Sequence, residues 1–188
     1  MRFTLVRHGE TEDPRPGLES IGHDDSPLSA FGRRQAEALA RVLREASERG
    51  ERFEAVYTSP LRSTSETATT IADALGIVDT AREDELITIT PEVLPEDGAL
   101  DAVEALQTRA WELIEALKTR HDPASTLVLV THELVVRALV CRALGMPLTD
   151  LRRFRLDPAS LTTIEYRTAP RERTLLAGLN ETCHLQIV

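Results

Sequence analysis

The chain has 188 residues, 41% of them apolar and 28% charged, and a formal net charge of −9 at neutral pH. That is apolar material for one ordinary core, and a single domain over residues 1–188 is expected at this length. The acidic balance disfavours nucleic acid and anionic membranes as partners, because both demand a basic footprint. No run nears the roughly 18 apolar residues of a membrane span, and no apolar leader opens the chain, so a cytoplasmic location is expected. Two cysteines, Cys141 and Cys183, fit reduced thiols better than a disulfide framework.

Arg2 to Val6 reads as a short strand. The Gly-, Pro- and Asp-rich residues 9–28 lack periodicity and predict a long loop of the kind that usually carries function. Ser29 is placed as a helix N-cap, followed by Ala36, Leu39, Val42, Leu43 and Ala46 at helical spacing and by Gly50 as the stop. Glu54 to Thr58 is a second strand. Ser59 and Pro60 are expected to open the next helix, whose apolar stripe is Ala68, Ile71, Ala72 and Leu75 and whose C-terminal stop is Gly76. Ile77-Val78 and Leu86 to Thr90 have strand character, and Pro91, Pro95 and Gly98 then break regular structure.

Val103, Leu106, Ala110, Leu113, Ile114 and Leu117 define an amphipathic helix over 100–120, with Trp111 at the edge of its stripe. Thr126 to Val130 shows no polar alternation, as suits a strand covered on both faces. Glu133 to Leu144 follows as a helix closed by Gly145. Ser160 to Tyr166 and Thr174 to Asn180 resemble an antiparallel pair. His23 and His121 lie in polar stretches and are expected in solvent, the alternative for His23 being a place at the rim of the site. The alternation of strands and helices predicts a three-layer α/β/α sandwich around a mostly parallel sheet.

Ligands of such sheets sit beyond the carboxyl ends of the strands. Three strand ends carry polar residues with chemical potential: Arg7-His8-Gly9, Thr58 to Arg62, and Thr131-His132-Glu133. Taken singly, each has an ordinary explanation as a half-buried imidazole, a surface guanidinium or a solvated helix cation. Brought together, two imidazoles and two guanidiniums suit a phosphoryl group. Guanidinium forks bind its oxygens, and a neutral imidazole can attack phosphorus and carry the group covalently. Gly9 is expected to clear the space beside that imidazole.

The residues LVRHGET (5–11), DSPLSAFGRRQAEALA (25–40), VYTSPLRSTSETA (56–68), TLVLVTHELVVRALV (126–140) and LNETCHL (179–185) resemble motifs of the histidine phosphatase superfamily, the phosphoglycerate-mutase-like fold. The resemblance spans nearly the whole chain. It implies His8 as the phosphorylated nucleophile, with Arg7 and His132 binding phosphoryl oxygens and Thr11 adding a donor. It implies no metal and no cofactor.

Four positions depart from the family pattern. The second family arginine is expected at Ser63, whereas the cation stands one place earlier, at Arg62, about 100° around a helix. Pro14 replaces a common Asn, Thr88 occupies the position of the usual acid, and residues 89–98 are shorter than the common cap segment. Another carboxylate must then protonate the leaving group, or the leaving group needs little help. Glu133 is favoured because it resembles the His-Asp arrangement of the acid phosphatase branch; Glu83, Asp84 and Glu85 are the alternatives.

The function expected is therefore a phosphatase acting on small phosphomonoesters through phospho-His8. The alternatives are a compact protein phosphatase, whose phosphohistidine substrate carries a basic leaving nitrogen, and a catalytically weak relative that binds phosphate-bearing ligands. Mutase activity is not expected, since the short middle segment leaves little to close over a bisphosphate.

Overall fold

The computed structural model describes residues 1–12, 25–89, 100–168 and 171–187. Six strands form one sheet: β1 (Arg2–Arg7), β2 (Phe53–Thr58), β3 (Thr80–Arg82), β4 (Thr126–Thr131), β5 (Leu161–Arg167) and β6 (Arg173–Glu181), in the order β3-β2-β4-β1-β5-β6. The pairs β3–β2, β2–β4 and β4–β1 are parallel, and β5 and β6 extend the sheet antiparallel. Among the described residues, four α-helices cover it: α1 (Ala30–Glu48), α2 (Arg62–Leu75), α3 (Leu100–Arg120) and α4 (Glu133–Leu144).

The pleat sorts the core into two layers. On β4, Leu127 and Leu129 join Phe3 and Leu5 of β1 under α3 and α4. Val128 and Val130 join Val6 and Val56 under α1 and α2. Alternate side chains of a strand point to opposite faces, so a strand with helices on both faces has no position left for a polar residue outside its ends. That is why all six residues of β4 are buried. The α/β/α sandwich predicted above is the observed architecture.

Local capping follows the sequence closely. The Ser29 hydroxyl accepts the Gly32 N–H at 2.9 Å. Gly76 and Gly145 stop α2 and α4 in the left-handed conformation at φ 68° and 65°, where a Cβ would cost about 1 kcal/mol.

Several expectations are corrected. The α2 helix starts at Arg62, not at Ser59-Pro60, and its cap position, Leu61, offers no side-chain hydrogen bond. The Asp25 carboxylate instead accepts the Arg62 N–H at 2.6 Å, so a cap arrives from 37 residues upstream. Ile77-Val78 is not a strand: Val78 is 94% exposed, and β3 begins only at Thr80. Leu86 ends a short 3-10 turn, Asp84–Leu86, rather than opening a strand.

His121 is not solvated either. Its ring lies between the Tyr57 hydroxyl at 2.7 Å and the Glu54 carboxylate at 2.8 Å, tying the end of α3 to β2. Pro14, His23 and residues 90–98 lie outside the described residues.

Candidate active site

Strand β4 lies between β1 and β2, whose following helices α1 and α2 cover one face, while α4 leaves β4 for the other. Chains that diverge in this way open a crevice at the carboxyl ends of the strands. Arg7 is in register with Thr131. The His8 N–H donates to the Thr131 carbonyl at 3.0 Å, and the Ser59 N–H to the Val130 carbonyl at 3.0 Å. The three strand ends therefore meet, and the imidazoles of His8 and His132 stand 5.1 Å apart, centroid to centroid, at 67°. His132 is buried, and its Nε2 is 3.1 Å from the Ser59 Oγ.

The chemical state of His8 follows from its neighbours. Its Nδ1 lies 2.8 Å from the Gly9 carbonyl. A carbonyl only accepts, so Nδ1 carries the proton and the lone pair is on Nε2. Burial pushes its pKa down to about 4; the Gly9 carbonyl opposes that shift and the charge of Arg7 adds to it. The ring is neutral at pH 7, the form a nucleophile requires.

Arg7 is held by two acceptors on one nitrogen: its Nη1 donates to the Leu156 carbonyl at 2.5 Å and pairs with Glu133 Oε2 at 2.9 Å. Glu133 Oε1 pairs in turn with Arg137 Nη2 at 2.5 Å. Both oxygens of Glu133 are thus engaged by guanidiniums. The carboxylate therefore bridges Arg7 and Arg137.

The other expected residues are placed less directly. Thr11 forms an isolated antiparallel bridge with Leu28, just before the Ser29 cap of α1. Arg62 is exposed at the first turn of α2, and among the described residues its guanidinium has no hydrogen-bond or ion-pair partner. Ser63, at the family's arginine position, is buried and 4% exposed. The one-residue offset leaves the cation exposed, while the buried position beside it carries no charge. Thr88 is buried, and its hydroxyl donates to the Ile89 carbonyl at 3.4 Å.

The alternative carboxylates lie just after β3, where the Glu83 N–H donates to the Thr58 carbonyl at 2.9 Å. Burial raises the pKa of Glu83, and its charged neighbours are Glu85, Arg120 and Asp84. The charges of Glu85 and Asp84 act on Arg109 of α3, which donates to the Ile87 carbonyl.

Some supporting residues were not singled out from sequence. Gln35 Oε1 accepts the Glu10 N–H at 2.8 Å, and Thr67 Oγ1 accepts the Gly9 N–H at 3.3 Å, so both hold the turn after His8. The role of Gly9 also differs from the expected one. A Cβ there would stand 2.6 Å from the Gly32 carbonyl oxygen, and one on Gly32 would strike the Glu10 carbonyl. The two glycines let the turn cross the start of α1 backbone to backbone. Both belong to the quoted motifs, which were the available signal.

Comparison with known proteins accords with this geometry. The sequence profile of the histidine phosphatase superfamily (branch 1) matches residues 3–94 and 90–177. Phosphoserine phosphatase 1 of Hydrogenobacter thermophilus is 30% identical over 210 aligned positions, covering 98% of this chain and 94% of that protein. A probable phosphoglycerate mutase GpmB of Yersinia enterocolitica is 30% identical over 212 positions, covering 100% and 96%. Bacillus stearothermophilus YhfR superposes with a TM-score of 0.79 at 25% identity, over 98% of this chain and 99% of that one. The Entamoeba histolytica phosphoserine phosphatase in complex with 3-phosphoglyceric acid gives 0.79 at 24% identity, over 98% of each, a likeness of fold.

Proposed function

The chain belongs to the histidine phosphatase superfamily, and from that premise we propose that residues 1–188 act as one metal-independent phosphatase working through His8. The observation that carries the proposal is the neutral His8 ring, its lone pair directed to Nε2 by the Gly9 carbonyl, beside His132 and Arg7.

Nε2 of His8 attacks phosphorus. The N–P bond forms as the bond to the leaving oxygen breaks, and that oxygen takes a proton from solvent. Water then attacks the phosphohistidine and gives a proton back to solvent, the N–P bond breaks, and inorganic phosphate leaves with His8 neutral again. Arg7 and His132 bind the equatorial oxygens, where charge spreads in the transition state. Thr11 is a further donor at the rim. Glu133 keeps Arg7 in place rather than donating the proton. Arg62 is left to meet a remote part of the substrate.

The substrates proposed are small phosphomonoesters of the kind named for the relatives, with phosphoserine and 3-phosphoglycerate the first to try. Hydrolysis rather than mutase transfer is proposed because the short 89–98 segment offers little to retain a bisphosphate between two transfers. A second substrate class is favoured by one observation: buried Thr88 stands where the family has its acid, and phosphohistidine, with its basic leaving nitrogen, needs that acid least.

His8→Ala is expected to abolish hydrolysis of p-nitrophenyl phosphate and the acid-labile, base-stable phosphoenzyme seen after rapid quench. Unchanged turnover would remove the mechanism. Chelator should leave the rate unaltered. Phosphate release from phosphoserine, 3-phosphoglycerate and a phosphohistidine peptide ranks the substrate classes, and appearance of 2-phosphoglycerate would establish mutase transfer instead.

A further inference from the structure

The residues before β5 reach back to the end of β1. The Leu156 carbonyl accepts Arg7 Nη1, the Ser160 carbonyl accepts the Arg7 N–H at 3.3 Å, and the Ala159 N–H donates to the His8 carbonyl at 3.0 Å. With the Thr131 carbonyl on the His8 N–H from the other side, the peptide of His8 is gripped at both ends.

This brace is not a relaxed loop. Ala159 is fully buried at φ 56°, left-handed backbone that an alanine adopts only at a cost. Two side chains from the C-terminal segment hold it there. His184, 7% exposed in the 3-10 turn Cys183–Ile187, donates from Nε2 to the Ala159 carbonyl at 2.9 Å. Asn180 accepts the Asp157 N–H on Oδ1 at 2.7 Å and donates from Nδ2 to the Asp157 carboxylate at 2.9 Å. Asn180 is itself left-handed at φ 51°, a conformation asparagine tolerates well, and its N–H donates to Thr162 Oγ1 at 3.3 Å.

Two short relays result. One runs from the His184 imidazole through the Ala159 peptide to the His8 carbonyl. The other runs from the Asn180 amide through Asp157 and Leu156 to the Arg7 guanidinium. Closing the sheet would need only apolar contact, and Leu185 already provides that against the α1/α2 layer. A buried imidazole and a buried left-handed alanine add a strain that packing alone does not require. Strained backbone persists where its surroundings over-determine it, and such places cluster at functional sites.

We infer that Asn180 and His184 are positioning residues, setting the nucleophile and its neighbouring guanidinium through the 156–160 brace. The inference rests on the functional role proposed for Arg7 and His8. It adds a function for the C-terminal residues, which act through the backbone of 156–160.

The test compares the whole protein with His184→Gln, whose amide nitrogen reaches nearly as far as Nε2, with His184→Asn, whose amide stops short, and with Asn180→Gly, which keeps the left-handed backbone and removes the grip. Leu113→Ala in α3 is a destabilised control away from the brace. Thermal midpoints, kcat and KM for p-nitrophenyl phosphate, and calorimetric affinity for inorganic phosphate are measured on all. His184→Asn and Asn180→Gly are expected to lose about tenfold or more in both kcat and phosphate affinity, as small misplacements of reacting groups do. His184→Gln should stay within about threefold of the parent, and Leu113→Ala should lower the midpoint but not these values. Phosphate affinity and kcat that follow the thermal midpoint alone, equally in Leu113→Ala, would overturn the inference. If the parent hydrolyses nothing, the phosphatase proposal fails, and the phosphate affinities alone still decide whether the brace positions the anion site.

Discussion

Replacing Glu133 by Gln separates two roles for the carboxylate nearest Arg7. The Arg7–Glu133 pair is 2.9 Å long with side chains 21% and 34% exposed, and a pair so placed contributes at most about 1 kcal/mol. The amide keeps one oxygen to accept from Arg7 and loses the charge and the second oxygen, which pairs with Arg137. If Glu133 holds Arg7, transition-state stabilisation falls by about 1 kcal/mol, or about fivefold in kcat/KM. That loss is the same for every substrate, since Arg7 meets the phosphoryl group and not the leaving group.

If Glu133 were the general acid, an alkyl leaving group would lose about 10²- to 10⁴-fold. An aryl ester, whose phenolate leaves unaided, would lose little. The assay is kcat/KM for p-nitrophenyl phosphate against phosphoserine in parent and variant. Parallel losses are expected. A phosphoserine rate down by two orders of magnitude beside an unchanged aryl ester would refute Glu133 as a holder of Arg7 and restore it as the acid.

In a 13C-histidine NMR titration the His8 signal should pass unchanged through pH 6.5 and move near pH 4, the value burial imposes; a midpoint between 6 and 7 would contradict it. The sign for stability follows: between 6.5 and about 4 the unfolded chain takes up this proton and the folded one resists, so His8 destabilises the fold as pH falls, by at most about 3 kcal/mol. Arg62→Ala is expected to keep kcat for p-nitrophenyl phosphate within about threefold, because the guanidinium is exposed and a group that touches the transition state costs far more; a loss near 10²-fold would mean that it reaches the phosphoryl group. Gly32→Ala, which elsewhere in a helix gains up to about 1 kcal/mol, should here lose about 1–3 kcal/mol in urea denaturation through the clash with the Glu10 carbonyl; a raised midpoint would show that the turn can move aside.

Much of the fold was legible because its causes are local. The Ser29 cap, the fully buried run of β4 and the left-handed glycines 76 and 145 are each decided within a few residues of backbone. The α3 span, Leu100 to Arg120, coincides with its apolar stripe. The misses were made by distant partners. Asp25 capped α2 in place of Ser59, freeing Ser59 for His132. Tyr57 and Glu54 drew His121 out of solvent.

The site divides in the same way. The amino-acid sequence by itself determined which side chains arrive at the strand ends, because strand length and the residue that follows are local facts. Tertiary structure alone decided how they are used. The azimuth of α2 left Arg62 exposed. Arg137 completed an ion-pair chain, and residues 156–160 came back across 149 positions to hold Arg7. Above all, Thr67 and Gln35 hold the turn in which the Gly9 carbonyl meets Nδ1 and so selects the reactive nitrogen of His8. Every residue carries that same backbone group, so only its position in space can give it a role.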